Sequence, residues 1–391
     1  MKVEQIYTLM NTVTGEVLGK SDIVAEDLSN VVDIGTEIFN ASAVDSYVKS
    51  LVNHIGKVIF VNRPYTGNVP SILRDGWEYG SVLEKITAEL PDAYENGSWE
   101  LEDKKSYDVN VFYQPKVSAK FFNKKVTFEV PMSFTEMQVK QSFSNAEQLN
   151  GFISMLYNAV ERTMTIKIDS LVMRTINNMI AQTLYAEFPE VAGGDYSAST
   201  SVKAVNLLKL YNDKFTKELT AESCITDADF IRFASYTMGV YTNRLSKMST
   251  LFNVGGKERF TSPEDLSIVM LSDFMQAANM YLQSNVFHDE FTKFPTAEIV
   301  PYWQGSGSDY SFAKVSDIHV NIDDGKGTTA EIVASGILAI MFDRDSMGVC
   351  NLDRRVTTNY NAKAEFYNNY YKFDAGYFND LNENFVVFFV A

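Results

Sequence analysis

Ser144-Asn145-Ala146-Glu147-Gln148-Leu149-Asn150-Gly151-Phe152-Ile153 opens a stretch that runs to Phe188 and reads as a single helix, far longer than a compact domain needs. Ser144 and Glu147 have the S-x-x-E spacing of a capping box, in which hydroxyl and carboxylate satisfy backbone donors left open at a helix start. Pro189, followed by Gly193 and Gly194, supplies the stop. Between them Leu149, Phe152, Ile153, Leu156, Ala159, Val160, Met164, Ile168, Leu171, Val172, Ile176, Met179 and Ile180 recur at three- and four-residue steps and make one apolar stripe. At a rise of about 1.5 Å per residue the rod is about 60 Å long, roughly twice the span of a small domain. β-Branched Thr163, Thr165, Ile166 and Ile168 weaken helix propensity, so a two-helix hairpin broken there is the alternative. A membrane span is disfavoured, because Glu161, Arg162, Lys167, Asp169 and Arg174 sit mid-stretch and each is costly in hydrocarbon.

The rod belongs to a chain of 391 residues, 46% hydrophobic and 13% aromatic, enough for two or three compact cores. Tyr360, Phe366, Tyr367, Tyr370, Tyr371, Phe373, Tyr377 and Phe378 crowd near the C-terminal end, where burial or an interface is their natural fate. A net charge of −16 opposes nucleic-acid binding, which gains affinity when Lys and Arg neutralise phosphates. Cys224 and Cys350 are too few for a disulfide framework and too far apart for a C-x-x-C site; two structural thiols in a reducing compartment are expected. Met1 to Gly19 lacks a cationic segment followed by a long apolar run, so no signal peptide is expected.

Before the rod, residues 1–42 are weakly periodic and suggest an extended arm with one short helix. Ala43 to Ile55 puts Val44, Tyr47, Val48, Leu51, Val52 and Ile55 on one helical face, and Lys57 to Asn62 follows as a short strand. From Asp75 to Asp103 the chain is acidic, with Lys85 set against nine carboxylates. The sign then reverses through Lys104, Lys105, Lys116, Lys120, Lys124 and Lys125. Alternation at Val109-Val111-Tyr113, Val117-Ala119-Phe121 and Val126-Phe128-Val130, with Asn123 and Lys124 suited to a turn, predicts a long hairpin. Exposed apolar and basic side chains beside an acidic stretch predict pairing with another copy of the chain. The candidates are Lys116, Lys120, Phe121, Phe122, Lys124 and Lys125 on one side, and Glu100, Glu102 and Asp103 on the other; a hairpin packed on its own core is the alternative.

Beyond the rod, helices are predicted at Ser201 to Thr216, Asp227 to Met248 and Ser262 to Ser284, the last behind Pro263. Strands follow at Ile318 to Ile322, Ile332 to Phe342 and Phe385 to Val390, with a turn at Asp323 to Gly327. Strands before the rod and again at the end predict an α+β fold closed by distant parts of the chain. Catalytic patterns fail on countable features. His54, His288 and His319 sit in no H-E-x-x-H spacing, and His288-Asp289-Glu290 cannot all face one ion. Gly325-Lys326-Gly327-Thr328 lacks the upstream glycine of a phosphate loop, and Gly305-Ser306-Gly307-Ser308 is not a nucleophile elbow. Asp343, Asp345 and Asp353 with Arg344, Arg354 and Arg355 fit a charge network better than an acid–base site.

Taken in order, these parts resemble the Hong Kong 97-type major capsid proteins of tailed bacteriophages over essentially the whole chain, closest to those of short-tailed phages of Gram-positive hosts. The residues that carry the resemblance are Thr261-Ser262-Pro263-Glu264-Asp265-Leu266, Val300-Pro301-Tyr302-Trp303-Gln304-Gly305-Ser306-Gly307, Phe342-Asp343-Arg344-Asp345 and Glu365-Phe366-Tyr367-Asn368-Asn369-Tyr370-Tyr371-Lys372-Phe373-Asp374. The resemblance implies an N-terminal arm (1–42), a first part of a peripheral domain (43–64) and an extended loop (65–135). It continues with the peripheral domain and its spine helix (136–194), an axial domain (195–350) and a return to the peripheral domain (351–391). Leu156, Val160, Leu171 and Ile176 become the spine core. The function implied is self-assembly, through hexamers and pentamers, into an icosahedral shell around a double-stranded DNA genome. Neither cofactor, metal nor membrane is needed, and a scaffolding protein and a portal are further candidate partners. Localisation would be the virion, with assembly in the bacterial cytoplasm, and an acidic wall would adhere weakly to the packaged polymer. An encapsulin-like nanocompartment and, more remotely, a soluble hydrolase at Asp343 to Arg355 are the competing readings. If assembly needs neither metal nor disulfide, shells should form with chelator and reductant present; shells that dissolve on chelation and release a stoichiometric divalent ion would contradict this.

Overall fold

A computed structural model of the chain describes residues 3–19, 30–40, 46–47, 50, 69–74, 83–88, 103–104, 110, 114, 116–142, 146–191, 195–283, 297–303, 311–323 and 329–391. The rod is present as one uninterrupted helix, Ala146–Glu187, of 42 residues, and Pro189–Val191 turns the chain out of it. Ser144, Gly193 and Gly194 lie outside the described residues. The expected weak point does not break. Thr163 and Thr165 turn their hydroxyls onto the carbonyls of Ala159 and Glu161, at 2.9 and 3.0 Å, and keep the turn closed. Leu156, Val160, Leu171 and Ile176 are all buried, but Ala159, expected on the stripe, is exposed.

Two sheets cover the helix. The first has the strand order β1-β11-β12-β4, from Leu73–Arg74, Met347–Asn361, Phe366–Asn379 and Lys125–Thr135. The second has the order β5-β13-β10-β6-β7, from Ala204–Asn206, Phe385–Phe389, Ile337–Asp343, Leu266–Leu271 and Glu298–Val300. Near its start the helix meets the first sheet, where Phe152 packs edge-on against Phe134 of β4. Past its end Phe188, Tyr196 and Phe389 of β13 form a run of ring contacts with the second sheet. One apolar core therefore contains the helix and residues of both sheets.

The second sheet is buried on both faces. Alternate residues of β6, Val269 and Leu271, enter the spine core, while Ile268 and Met270 enter a second core under the helices Leu207–Phe215, Ala228–Leu245 and Ser272–Gln283. Two-sided burial explains why 268–271 of β6, 337–342 of β10 and all of β13 read as apolar runs without alternation. It also explains an error of the sequence reading. Ser262 to Ser284 is not one helix, since its first half is β6, held between β10 and β7. Likewise Ser201 to Thr216 divides into β5 and a helix whose Asn206 cap accepts from the Lys209 amide. Ile332 to Phe342 divides into strand β9, Thr329–Ala334, and β10 at Gly336, whose φ of +74° suits glycine and where a Cβ would strike the Val390 carbonyl oxygen. Strand β8, Ile318–Asp323, pairs with β9 as an antiparallel hairpin.

The long hairpin at 109–130 is also corrected. Strand β3, Val117–Phe122, pairs with β2, Leu83–Ala88, while β4 pairs with β12 from the far end of the sequence. Val109, Val111 and Tyr113 lie outside the described residues. The chain's long hairpin is instead β11 with β12, in register from Met347↔Asn379 to Asn361↔Phe366. It takes up the C-terminal aromatics, with Tyr367, Tyr371 and Phe373 buried over the spine. The stretch 351–391 is thus divided, because β12 lies in the first sheet and β13 in the second.

The arm differs as well. It is not extended in its described parts but helical at Val3–Leu18 and Val31–Asn40, with Met10, Val13, Ile34 and Ile38 in the spine core. Of the helix expected at 43–55, Ser46, Tyr47 and Ser50 are helical; the rest of it, and Lys57 to Asn62, lie outside the described residues. Ile176→Asp places a charge in the spine core and should cost about 4 kcal/mol, whereas Met155→Asp on the exposed side should cost about 0.5 kcal/mol. Urea midpoints of the two variants check this, and equal midpoints would remove the buried stripe.

Candidate assembly surface

Strands β2 and β3 form a two-stranded ribbon separate from both main sheets. Residues paired directly across it share a face, so its register sorts the side chains into two sets. On one face lie Leu83 with Phe122, Lys85 with Lys120, and Thr87 with Ser118. On the other lie Glu84 with Phe121, Ile86 with Ala119, and Ala88 with Val117.

The first face is tied to the body. Phe122 is buried with its ring 5.1 Å from that of Phe378. Lys85 Nζ donates to Asp380 Oδ2 at 2.9 Å and Glu383 Oε1 at 2.7 Å, and Lys120 Nζ donates to Asp380 Oδ1 at 2.9 Å. Arg259 Nε reaches the same Glu383 oxygen at 3.1 Å. Both carboxylates sit in the turn between β12 and β13. At the start of this region Ser71 donates its amide and hydroxyl to Glu298 of β7, at 3.0 and 2.6 Å. Burial opposes ionisation of Asp380, but the hydrogen bonds from Lys120 and Lys85 outweigh it and hold the carboxyl below its ordinary value of 3.8. Burial similarly disfavours the Lys85 ammonium, yet its bonds to Glu383 and Asp380 keep it above the ordinary 10.5.

The second face is bare. Phe121, Ile86 and Val117 are 62%, 64% and 60% exposed, on a ribbon that offers them no cover. This divides the sequence-predicted residues. Phe121 points outward, and Lys116, Lys124, Lys125 and Asp103 are exposed. Phe122 and Lys120 instead reach the chain's own body, at Phe378 and Asp380. Glu100 and Glu102 lie outside the described residues. Lys85, Asp380, Glu383, Arg259, Ile86 and Val117 were not singled out as contact residues; the one available signal was Lys85, a cation alone in an acidic run.

The chemistry candidates resolve as structure. Asp343 accepts from the Thr261 hydroxyl at 2.7 Å and from the Asp345 amide at 2.9 Å, and Arg344 N donates to the Asp265 carbonyl at 2.9 Å. Two of the sequence motifs, 261–266 and 342–345, thereby knit together. Arg355 pairs with Asp374 at 3.0 Å. Trp303, from a third motif, is fully buried and donates to the Ile337 carbonyl at 2.7 Å. Cys224 and Cys350 are buried and not joined in a disulfide, and burial pushes the Cys224 thiol up to about 12. His288 and the two glycine-rich stretches lie outside the described residues. Among the described residues no group of three or more His, Cys, Asp or Glu could hold a metal ion, and no helix is long and apolar enough to cross a membrane.

An apolar face left open on a ribbon whose other face holds the body is the kind of surface that protein–protein contacts use. A family model described as Phi29-like phage major capsid protein matches residues 10–389, and the chain belongs to that family: it is a structural component of the phage virion, assembled from many copies, and not an enzyme. Family membership with the rod-and-sheet architecture makes the α+β fold Hong Kong 97-like. The encapsulin and hydrolase readings are not favoured. No curated protein matches the sequence. The chain is similar to solved structures from three phages. In the capsid of Staphylococcus phage Andhra it is 11% identical, covering 84% of this chain and 86% of that one, with a TM-score of 0.48. In a structure of the head fiber and inner core protein gp22 of bacteriophage P68 it is 10% identical, with coverages of 85% and 86% and a TM-score of 0.48. In the capsid of Cyanophage P-SCSP1u it is 9% identical, with coverages of 82% and 86% and a TM-score of 0.45.

The ion pairs set a pH window. Asp380 titrates below its unfolded value, so its contribution is complete above the ordinary carboxylate range and is lost as pH falls through the folded pKa. Lys85 contributes below its ordinary pKa and loses that contribution as pH rises through its higher folded value. Asp380→Asn should therefore lower stability at pH 7 but leave it near wild type at pH 2, flattening the acid limb; denaturant midpoints measured from pH 2 to 8 check this.

Proposed function

We propose that the bare face of the ribbon, Phe121, Ile86, Ala119 and Val117, is a contact by which one subunit lies on the next in the shell. The observation that carries this reading is the exposure of three large apolar side chains on one face of a ribbon whose other face is tied to the body by Phe122, Lys85 and Lys120. In a subunit that must pack against many copies, such a face gains from burial what it loses in water, on the order of 25 cal/mol per Å² of apolar surface. Lys116, Lys124 and Lys125, exposed beside it, supply charge for acidic partners on a protein whose net charge is −16.

Around this contact the fuller reading is an icosahedral shell of hexamers and pentamers enclosing double-stranded DNA, in a short-tailed phage of a Gram-positive host. The extended loop at 65–135, the spine unit, the axial unit at 195–350 and the arm are its parts. A scaffolding protein and a portal would assist, and assembly would take place in the host cytoplasm. The second core, capped by three helices and closed by the five-stranded sheet, supports an axial unit distinct from the spine unit. The acidic balance supports a wall to which DNA adheres weakly.

Phe121→Asp with Ile86→Asp should leave the subunit folded, with its thermal midpoint within a few degrees of wild type, and abolish particles by negative-stain imaging. Normal particles from this variant would overturn the contact.

A further inference from the structure

The attachment of the ribbon to its own body is graded along its length. At the inner end Leu83 faces Phe122, whose ring rests on Phe378. One pair further out, Lys85 and Lys120 close on Asp380 from both sides. One pair further again, the Thr87 and Ser118 hydroxyls bond each other at 2.9 Å. The described ribbon ends at Ala88 and Val117, and residues 89–116 leave from there. The lysine pair is thus the outermost attachment to the body among the described ribbon residues, about 7 Å of strand beyond the aromatic anchor.

The ion cluster is unequally sheltered. Asp380 and Glu383 have side chains 2% and 8% exposed, against 21% for Lys85 and 43% for Lys120. If the ribbon lifts, Glu383 keeps Arg259, but among the described residues Asp380 keeps only the amide of Asn382, at 3.1 Å. Lifting the ribbon breaks both charge-assisted bonds to Asp380 at once, so the resistance to lifting is concentrated there. Apolar contact alone would let the ribbon slide or tilt, whereas two charge-assisted bonds to the two oxygens of one carboxylate fix its direction. We propose that Lys85 and Lys120 closing on Asp380 form a latch that sets the angle of the ribbon before subunits meet, so that the bare face is aimed and the particle has one size. The latch rests on the reading of that face as a subunit contact. Its role is positional: the same residues touch the body of their own chain and act on assembly through the direction of Phe121 and Ile86.

The test uses the full-length chain. In Lys85→Met/Lys120→Met/Asp380→Asn the charges are removed together, so that no buried ion is stranded; Lys85→Arg/Lys120→Arg keeps the charges. Amide hydrogen exchange of unassembled subunits reads the ribbon, residues 83–88 and 117–122, against the spine, and negative-stain imaging reads the diameter of the particles. In the uncharged variant the ribbon should exchange at least tenfold faster with spine protection unchanged, and particles should be heterogeneous or absent; the arginine variant should match wild type in both. Unchanged ribbon exchange in the uncharged variant would show that the ion pairs do not hold the ribbon. A freed ribbon with particles of wild-type size and yield would show that its angle does not govern assembly. Phe121→Asp separates the two ideas: it should block assembly with the ribbon still protected, and normal assembly would remove the contact reading while ribbon exchange still reports whether the ion pairs close.

Discussion

The burial of one stripe on one long helix is the interaction on which the rest depends. Leu149, Ile153, Leu156, Val160, Met164, Ile168, Leu171, Val172, Ile176, Met179 and Ile180 are all within a few per cent of complete burial. Each such side chain contributes about 1.5–3 kcal/mol when covered. A helix of 42 residues extends about 63 Å, and neither sheet alone is long enough to cover it. Two sheets drawn from distant parts of the chain are therefore laid along it, and the polypeptide crosses between them in the turn from β12 to β13. That turn carries Asp380 and Glu383, so the charges that hold the ribbon stand where the architecture changes sheet.

Charge in this protein is arranged as much within the subunit as between subunits. A covered carboxylate is tolerable only when cations and amides satisfy it, and Asp380 is met by two lysines and an amide. Asp374 is met by Arg355 and the hydroxyl of Thr127, which ties β12 to β11 on one side and β4 on the other. Asp343 is met by Thr261 and closes the end of β10 over the start of β6. In each case an acid joins strands that are far apart in sequence. The acid-rich composition is thus partly structural.

The sequence by itself determined the elements whose physics is local. A three-to-four-residue apolar period marked the spine helix with its true extent to within two residues at each end, because helix bonds join neighbours in the chain. The start of the helix Ala228–Leu245 was legible to within one residue, and the structure adds that Asp227 caps it by accepting from the Phe230 amide. The α+β class followed from the order of such elements, and the family from motifs in which Thr261, Trp303 and Asp343 prove to be buried joints.

The tertiary structure alone decided which strand pairs with which. Alternation at Val117 to Phe121 and at Val126 to Val130 is a true strand signal, but period two is satisfied by any partner, and adjacency suggested the wrong one. Unbroken apolar runs such as Ile268 to Leu271 carry no period at all, because both faces are buried, and they pass for helix until the second core is seen. The same holds for the ribbon. Lys120 and Phe121 are neighbours with similar claims in sequence, yet the pleat sends one to Asp380 and the other to solvent, and only the body folded beneath the ribbon decides which is which.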